Sequence, residues 1–155
     1  MVYTKVAIRS KQFGSYVSMN GKGITHYREP PYKGTVNVMG HVQAWEIFNL
    51  HHNSDGTVSF EGSTFPNVFL TLDGNGVEVG TAVHGGGGYS AAQYTAKAWE
   101  KFYIRRQDNN TPAVFIECAA FPKRYLRIGG GILPKVVNVQ GVADVGERME
   151  IVVLG

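Results

Sequence analysis

Cysteine is almost missing from this chain. Cys118 is the only one in 155 residues, so no internal disulfide can form. Charge is sparse, at 17% of residues, and the net +3 comes from fifteen Lys and Arg scattered along the sequence. Their densest group is Lys123, Arg124 and Arg127. A nucleic-acid footprint needs a basic face with stacking aromatics, so no nucleic-acid partner is expected. Long apolar runs are absent too. The N-terminal "MVYTKVAIRS" lacks the apolar core of a signal peptide, and no stretch approaches the ~20 residues that span a bilayer. The expectation is a protein without a membrane span, either cytoplasmic or secreted without a classical signal peptide.

Catalytic and metal-binding signatures are missing as well. The five histidines do not have metal-site spacing. His51 and His52 are adjacent and would point to opposite faces of a strand. No Ser-His-Asp order or nucleophile elbow occurs. Asp73, Glu78, Glu117 and Glu147 read as turn carboxylates or single exposed strand residues. Cys118 lies in "FIECAAF" and reads as a small core hydrophobe. Neither an enzyme nor a cofactor is expected.

Glycine is plentiful, with twenty residues, and hydrophobics reach 43%. That composition describes a globular chain rich in turns, and 155 residues suit one domain, 1–155. Laid against itself, the chain repeats. "VAIRSKQFGSYVSMNGKG" (6–23), "VSFEGSTFPNVFLTLDGNG" (58–76) and "VFIECAAFPKRYLRIGGG" (114–131) align. Phe13, Phe65 and Phe121 coincide, followed by the alternating pairs Val17 and Met19, Leu70 and Leu72, Leu126 and Ile128. Gly21, Gly74 and Gly130 then mark a turn, and "TVNV" (35–38) matches "VVNV" (136–139). "QAWEIFNL" (43–50), "KAWEKFYI" (97–104) and "RMEIVVL" (148–154) close the units.

Apolar alternation within each unit predicts four short strands. Three such units are too few for a propeller, which needs about four blades. They suit an all-β trefoil of three four-stranded repeats with pseudo-threefold symmetry, at approximately 1–54, 55–110 and 111–155. Six strands would close a barrel and three hairpins would cap it. The repetition of Ala-Trp-Glu predicts that Trp45, Trp99 and Met149 fill equivalent structural positions. Because Trp45 alternates with Glu46 and Phe48 does not share its face, a bulge or a barrel-to-cap transition is expected there.

These motifs resemble known trefoils. "VAIRSKQFGSYVSMNGKG" followed by "WEIF" is similar to the repeat of fascin-like trefoils, which include actin-bundling fascins and hisactophilins. "QAW" resembles the Gln-x-Trp signature of ricin-B-type lectins, with Lys97 in the Gln position of the second unit. The lectin resemblance implies glycans or glycoproteins as partners. Ricin-B repeats usually place an Asp in the strand before the first hairpin turn, and here Ser18, Thr71 and Arg127 stand there. The fascin resemblance implies actin or another protein, and bundling by a lone domain would require a homodimer. Trefoil protease inhibitors share the fold and supply no motif to carry over.

Function on a repeat scaffold sits where one copy departs from the others. The first unit inserts "ITHYREPPYKG" (24–34) between its second and third strands, a stretch the second unit is expected nearly to lack. Tyr27 and Tyr32, stiffened by Pro30 and Pro31, suit a sugar-stacking platform, or else pack inward over the barrel. Asn20 and Asn37 are near in the repeat and would supply amide hydrogen bonds. The second unit inserts "HGGGGYSAAQYTAK" (84–97) before its Trp. The four glycines lack a phosphate-binding framework and read as a mobile loop, in which His84, Tyr89 and Tyr94 are further ligand-binding candidates. The first reading is therefore a non-enzymatic, lectin-like trefoil that recognises glycans through its loops. The alternatives are an actin- or protein-binding fascin-like trefoil and a protease inhibitor.

Overall fold

A computed structural model describes residues 3–27, 34–80, 89–106, 112–129, 136–143 and 145–154. The described residues form twelve strands in three sets of four. The first set is β1 (Tyr3–Ser10), β2 (Tyr16–Asn20), β3 (Thr35–Met39) and β4 (Phe48–His52). The second is β5 (Val58–Gly62), β6 (Val68–Asp73), β7 (Tyr89–Tyr94) and β8 (Phe102–Arg106). The third is β9 (Val114–Cys118), β10 (Tyr125–Gly129), β11 (Val136–Gln140) and β12 (Met149–Val153).

Strand pairing shows the architecture. The outer strands of each set pair in the cycle β1–β4–β5–β8–β9–β12, and β12 returns to β1. Closure leaves no free edge in this six-stranded barrel. The inner strands form three hairpins, β2–β3, β6–β7 and β10–β11. Contacts among β3, β7 and β11 join the hairpins into one cap. This is the β-trefoil that the repeats predict.

The core is layered by the pseudo-threefold axis. Ile8, Phe60 and Ile116 come from β1, β5 and β9 and are fully buried. Phe48, Phe102 and Met149 come from β4, β8 and β12 and are fully buried. In the cap, Val17, Leu70 and Leu126 are buried in the same way. Each layer draws one side chain from each unit, so alternation in sequence becomes a filled barrel.

That layering corrects the expectation for Met149. It stands with Phe48 and Phe102, not with the tryptophans. The residues Ala44–Glu46, Ala98–Glu100 and Val145–Glu147 form three equivalent 3-10 turns, which put Gly146 in the tryptophan place. The 3-10 turn also replaces the expected bulge. It breaks the alternation, so that Glu46 is buried and Phe48 enters the barrel. Trp45 and Trp99 stay outside the core and lie against Phe65 and Phe121, with ring centroids 6.0 and 5.4 Å apart.

Two loop expectations are corrected as well. The second unit does not lack a connection between its second and third strands, since residues 74–88 join β6 to β7. The "HGGGGYSAAQYTAK" stretch is not a loop throughout. Tyr89–Tyr94 is β7, paired to β6 along its length. Small Ala91 and Ala92 conceal it as a strand in the sequence, because they carry no β-branched or bulky alternation.

Cys118 faces the core at 2% exposure. Burial, helped by the neighbouring Glu117 charge, pushes its thiol up to about 12. At pH 8 the folded chain should therefore react negligibly with a thiol reagent over minutes, while denaturant should expose the thiol to fast labelling. Immediate stoichiometric labelling of the native chain would contradict this placement.

Candidate functional site

Strand alternation on the first hairpin sends Val17 and Met19 into the core and leaves Ser18 and Asn20 on the outer face. The β2–β3 register sets Ser18 opposite Asn37 and Tyr16 opposite Met39. Residues 40–43 then bring the 3-10 turn back against this face. Ser18, Asn37, Met39, Gln43, Trp45 and Glu46 line an open cleft of about 440 Å³.

Trp45 is 36% exposed. Phe65 supports its ring, and Lys22 Nζ lies 5.2 Å from the ring centroid. Glu46 is buried. Its Oε1 accepts the Gln43 N–H at 2.7 Å, the reach-back half of a capping box. Glu46 is the only ionisable side chain among the described residues that line the cleft. The cleft thus combines an aromatic flank, a thioether, two amides, a hydroxyl and one carboxylate. Apolar C–H surface can rest on the aromatic while hydroxyls exchange hydrogen bonds with the amides and carboxylate.

The other two copies are built differently. In the second unit Thr71 replaces Ser18, and its hydroxyl donates to the Trp99 carbonyl at 3.4 Å. Burial pushes Glu100 up, against the opposing pull of the Thr71 hydroxyl, the Lys97 N–H and the Lys97 charge. In the third unit Arg127 Nε lies 3.7 Å from Glu147 and Nη1 donates to Asn138 at 3.4 Å. A Cβ placed on Gly146 would meet Arg127 at 3.3 Å, so the arginine occupies the space beside the missing aromatic.

The sequence candidates do not converge on one place. Asn37 lines the Trp45 cleft. Asn20 lies on the same hairpin face, where its Oδ1 accepts the Lys22 N–H at 3.1 Å and closes a turn. Tyr27 is exposed, and Lys97 Nζ stands 3.7 Å from its ring centroid, a cation–π contact. Tyr94 lines a separate open cleft of about 480 Å³, between residues 21–25 and 64–68. Tyr89 begins β7 opposite Asp73. Tyr32 and His84, with Pro30 and Pro31, lie outside the described residues.

Met39, Gln43, Trp45 and Glu46 are absent from those candidates. A repeated Ala-Trp-Glu suggests core packing, which hides Trp45. The distinguishing signal is Gly146: the third unit keeps the turn with no aromatic, so the fold does not require one. Among the described residues no group of three or more His, Cys, Asp or Glu could hold a metal ion, and no helix is long and apolar enough to cross a membrane.

No protein-family model and no curated protein sequence matches the chain. Solved structures do. SeviL bound to an asialo-GM1 saccharide is similar with a TM-score of 0.68 and 11% identity, covering 97% of each chain. A salivary protein of Culex quinquefasciatus, from a cysteine- and tryptophan-rich family, has a TM-score of 0.67 and 12% identity, over 100% of this chain and 96% of its own. The BEL β-trefoil has a TM-score of 0.63 and 12% identity, over 97% and 93%. At such identities the likeness carries the fold and nothing finer: the chain is a β-trefoil.

Proposed function

We propose that the chain binds carbohydrate, without catalysis, through the Trp45 cleft of its first unit. The observation that carries this reading is the half-exposed Trp45 ring beside the Asn37 and Gln43 side chains and the Glu46 carboxylate. Ricin-B-type repeats place an Asp where Ser18 stands. Here Glu46, from the 3-10 turn, supplies the carboxylate of the lining. SeviL, of the same fold, is bound to a saccharide, and that supports the reading as a fold-level analogy. Glycans and glycoproteins are the partners this assigns.

The test is an immobilised-glycan array with the whole chain, beside cosedimentation with actin filaments. Selective binding to a set of glycans, competed by the free sugar, is the expected result. An array without any bound glycan overturns the reading, and cosedimentation in that case favours a protein-binding trefoil. Tyr27→Ala serves as the control: loss of glycan binding there, with Trp45→Ala unaffected, would move the site to the loop of the first unit.

A further inference from the structure

The hairpin and 3-10 turn that build the Trp45 cleft recur in all three units, yet their rims differ sharply. Met39 and Gln140 end the third strands of their units and Gln93 stands one residue before the end of its own; each lies six residues before Trp45, Gly146 or Trp99. Met39 is 47% exposed, whereas Gln93 is 2% and Gln140 3% exposed. The next position repeats the contrast. Among the described residues a Cβ on Gly40 would meet nothing within 4 Å, while one on Gly141 would collide with the Glu78 carbonyl oxygen. Tyr94 stands at the same place in the second unit.

The cover comes from the preceding unit. Residues 77–80 follow β6 and lie on the third unit: Gly80 N–H donates to the Gly141 carbonyl at 2.6 Å, and Arg124 Nε donates to the Val77 carbonyl at 3.0 Å. The described ends of the connection after β2, Tyr27 and Gly34, lie on the second unit in the same way. A Cβ on Gly34 would come 2.9 Å from Ala92, and Tyr27 carries the Lys97 ammonium on its ring. By this rotation the first unit would be covered by the connection after β10. That connection is residues 130–135, six long, against fourteen for 21–34 and fifteen for 74–88.

We infer that the chain has one saccharide site rather than three, and that the site takes a neutral sugar. This rests on the carbohydrate reading above. Cover from the neighbouring unit sets the valency: Tyr27 and Gly34 lie on the second unit, and residues 77–80 on the third. Thr71 and Arg127 engage Glu100 and Glu147 on the corresponding faces of those units. Among the described residues only the first unit keeps an open rim, at Met39. Neutrality follows from the lining. A carboxylate or sulfate on the sugar would face Glu46, the one charged side chain of the lining; the neighbouring cation, Lys22, is engaged with the Trp45 ring at 5.2 Å, and like charges brought together in a cleft cost binding.

The experiment is native mass spectrometry and calorimetric titration of the whole chain with a neutral oligosaccharide from the array, then with its sialylated counterpart. One ligand per chain is expected at saturation, with the sialylated form bound about tenfold or more weakly. Two or three equivalent sites overturn the single-site inference while leaving carbohydrate binding intact. Equal or tighter binding of the sialylated form overturns the neutral assignment. If no saccharide binds, the reading of the cleft fails, and the inference fails with it.

Discussion

Phe60→Ala is expected to destabilise the fold by about 3–5 kcal/mol, the range for emptying a buried aromatic site. Phe60 is fully buried at the centre of the barrel. Its ring meets Phe48 edge-on at 6.2 Å and Phe102 at 6.0 Å, so the loss removes aromatic contacts from two neighbouring strands. Barrel strands cannot collapse inward without breaking their pairing, which keeps the cavity open and the cost high. Since domains of this kind hold only about 5–15 kcal/mol in all, thermal unfolding should shift by roughly 10 °C. A chemical-denaturation midpoint indistinguishable from wild type would mean that the layered core is misassigned. Trp99→Ala should cost less, because Trp99 is only partly buried.

Trp45→Ala should do the opposite: leave the fold and remove the ligand. Trp45 is half-exposed and outside the barrel, and the third unit makes the same turn with Gly146. Removing an aromatic anchor at the centre of a binding site costs about 2 kcal/mol or more, which is roughly 30-fold in affinity. The measurement is titration of the variant with the array-selected saccharide, alongside its melting curve. A variant that melts several degrees lower yet binds normally would return Trp45 to a structural role. Asn37→Ala should weaken binding in the same direction, and Asn37 is exposed in a strand whose pairing needs only its backbone.

The fold is legible in this sequence because its repeating features are steric. Gly21 and Gly74 recur because each lies against the Phe of the following unit: a Cβ on Gly21 would come 3.0 Å from Phe65, and one on Gly74 2.6 Å from Phe121. Val17, Leu70 and Leu126 recur because one layer takes one residue from each unit. The register of the last segment is less legible. "RME" resembles "AWE" in outline, but the buried carboxylate is Glu147, not Glu150, and Met149 belongs with the core phenylalanines. A short 3-10 turn resets the strand period, and alternation cannot reveal such a turn.

The candidate site is legible only in part. Asn37 is recoverable because it is the polar, outward member of an alternation between Val36 and Val38. Trp45 is masked by its own repetition. The openness of its rim is a tertiary property rather than one of any motif: Met39 is exposed where Gln93 and Gln140 are buried. Loop tyrosines attract attention in the sequence, yet Tyr27 already holds Lys97 across the unit boundary.

The central claim is that one cleft, flanked by Trp45, takes the ligand. Its most direct test is the indole N–H region of a nitrogen-proton correlation spectrum, because the chain has two tryptophans, one in the open copy and one in the roofed copy. On titration with a bound saccharide the Trp45 indole signal should shift to saturation while the Trp99 signal stays in place. A Trp99 signal that shifts as far as Trp45, or a Trp45 signal unmoved when the chain is saturated with saccharide, would contradict the account.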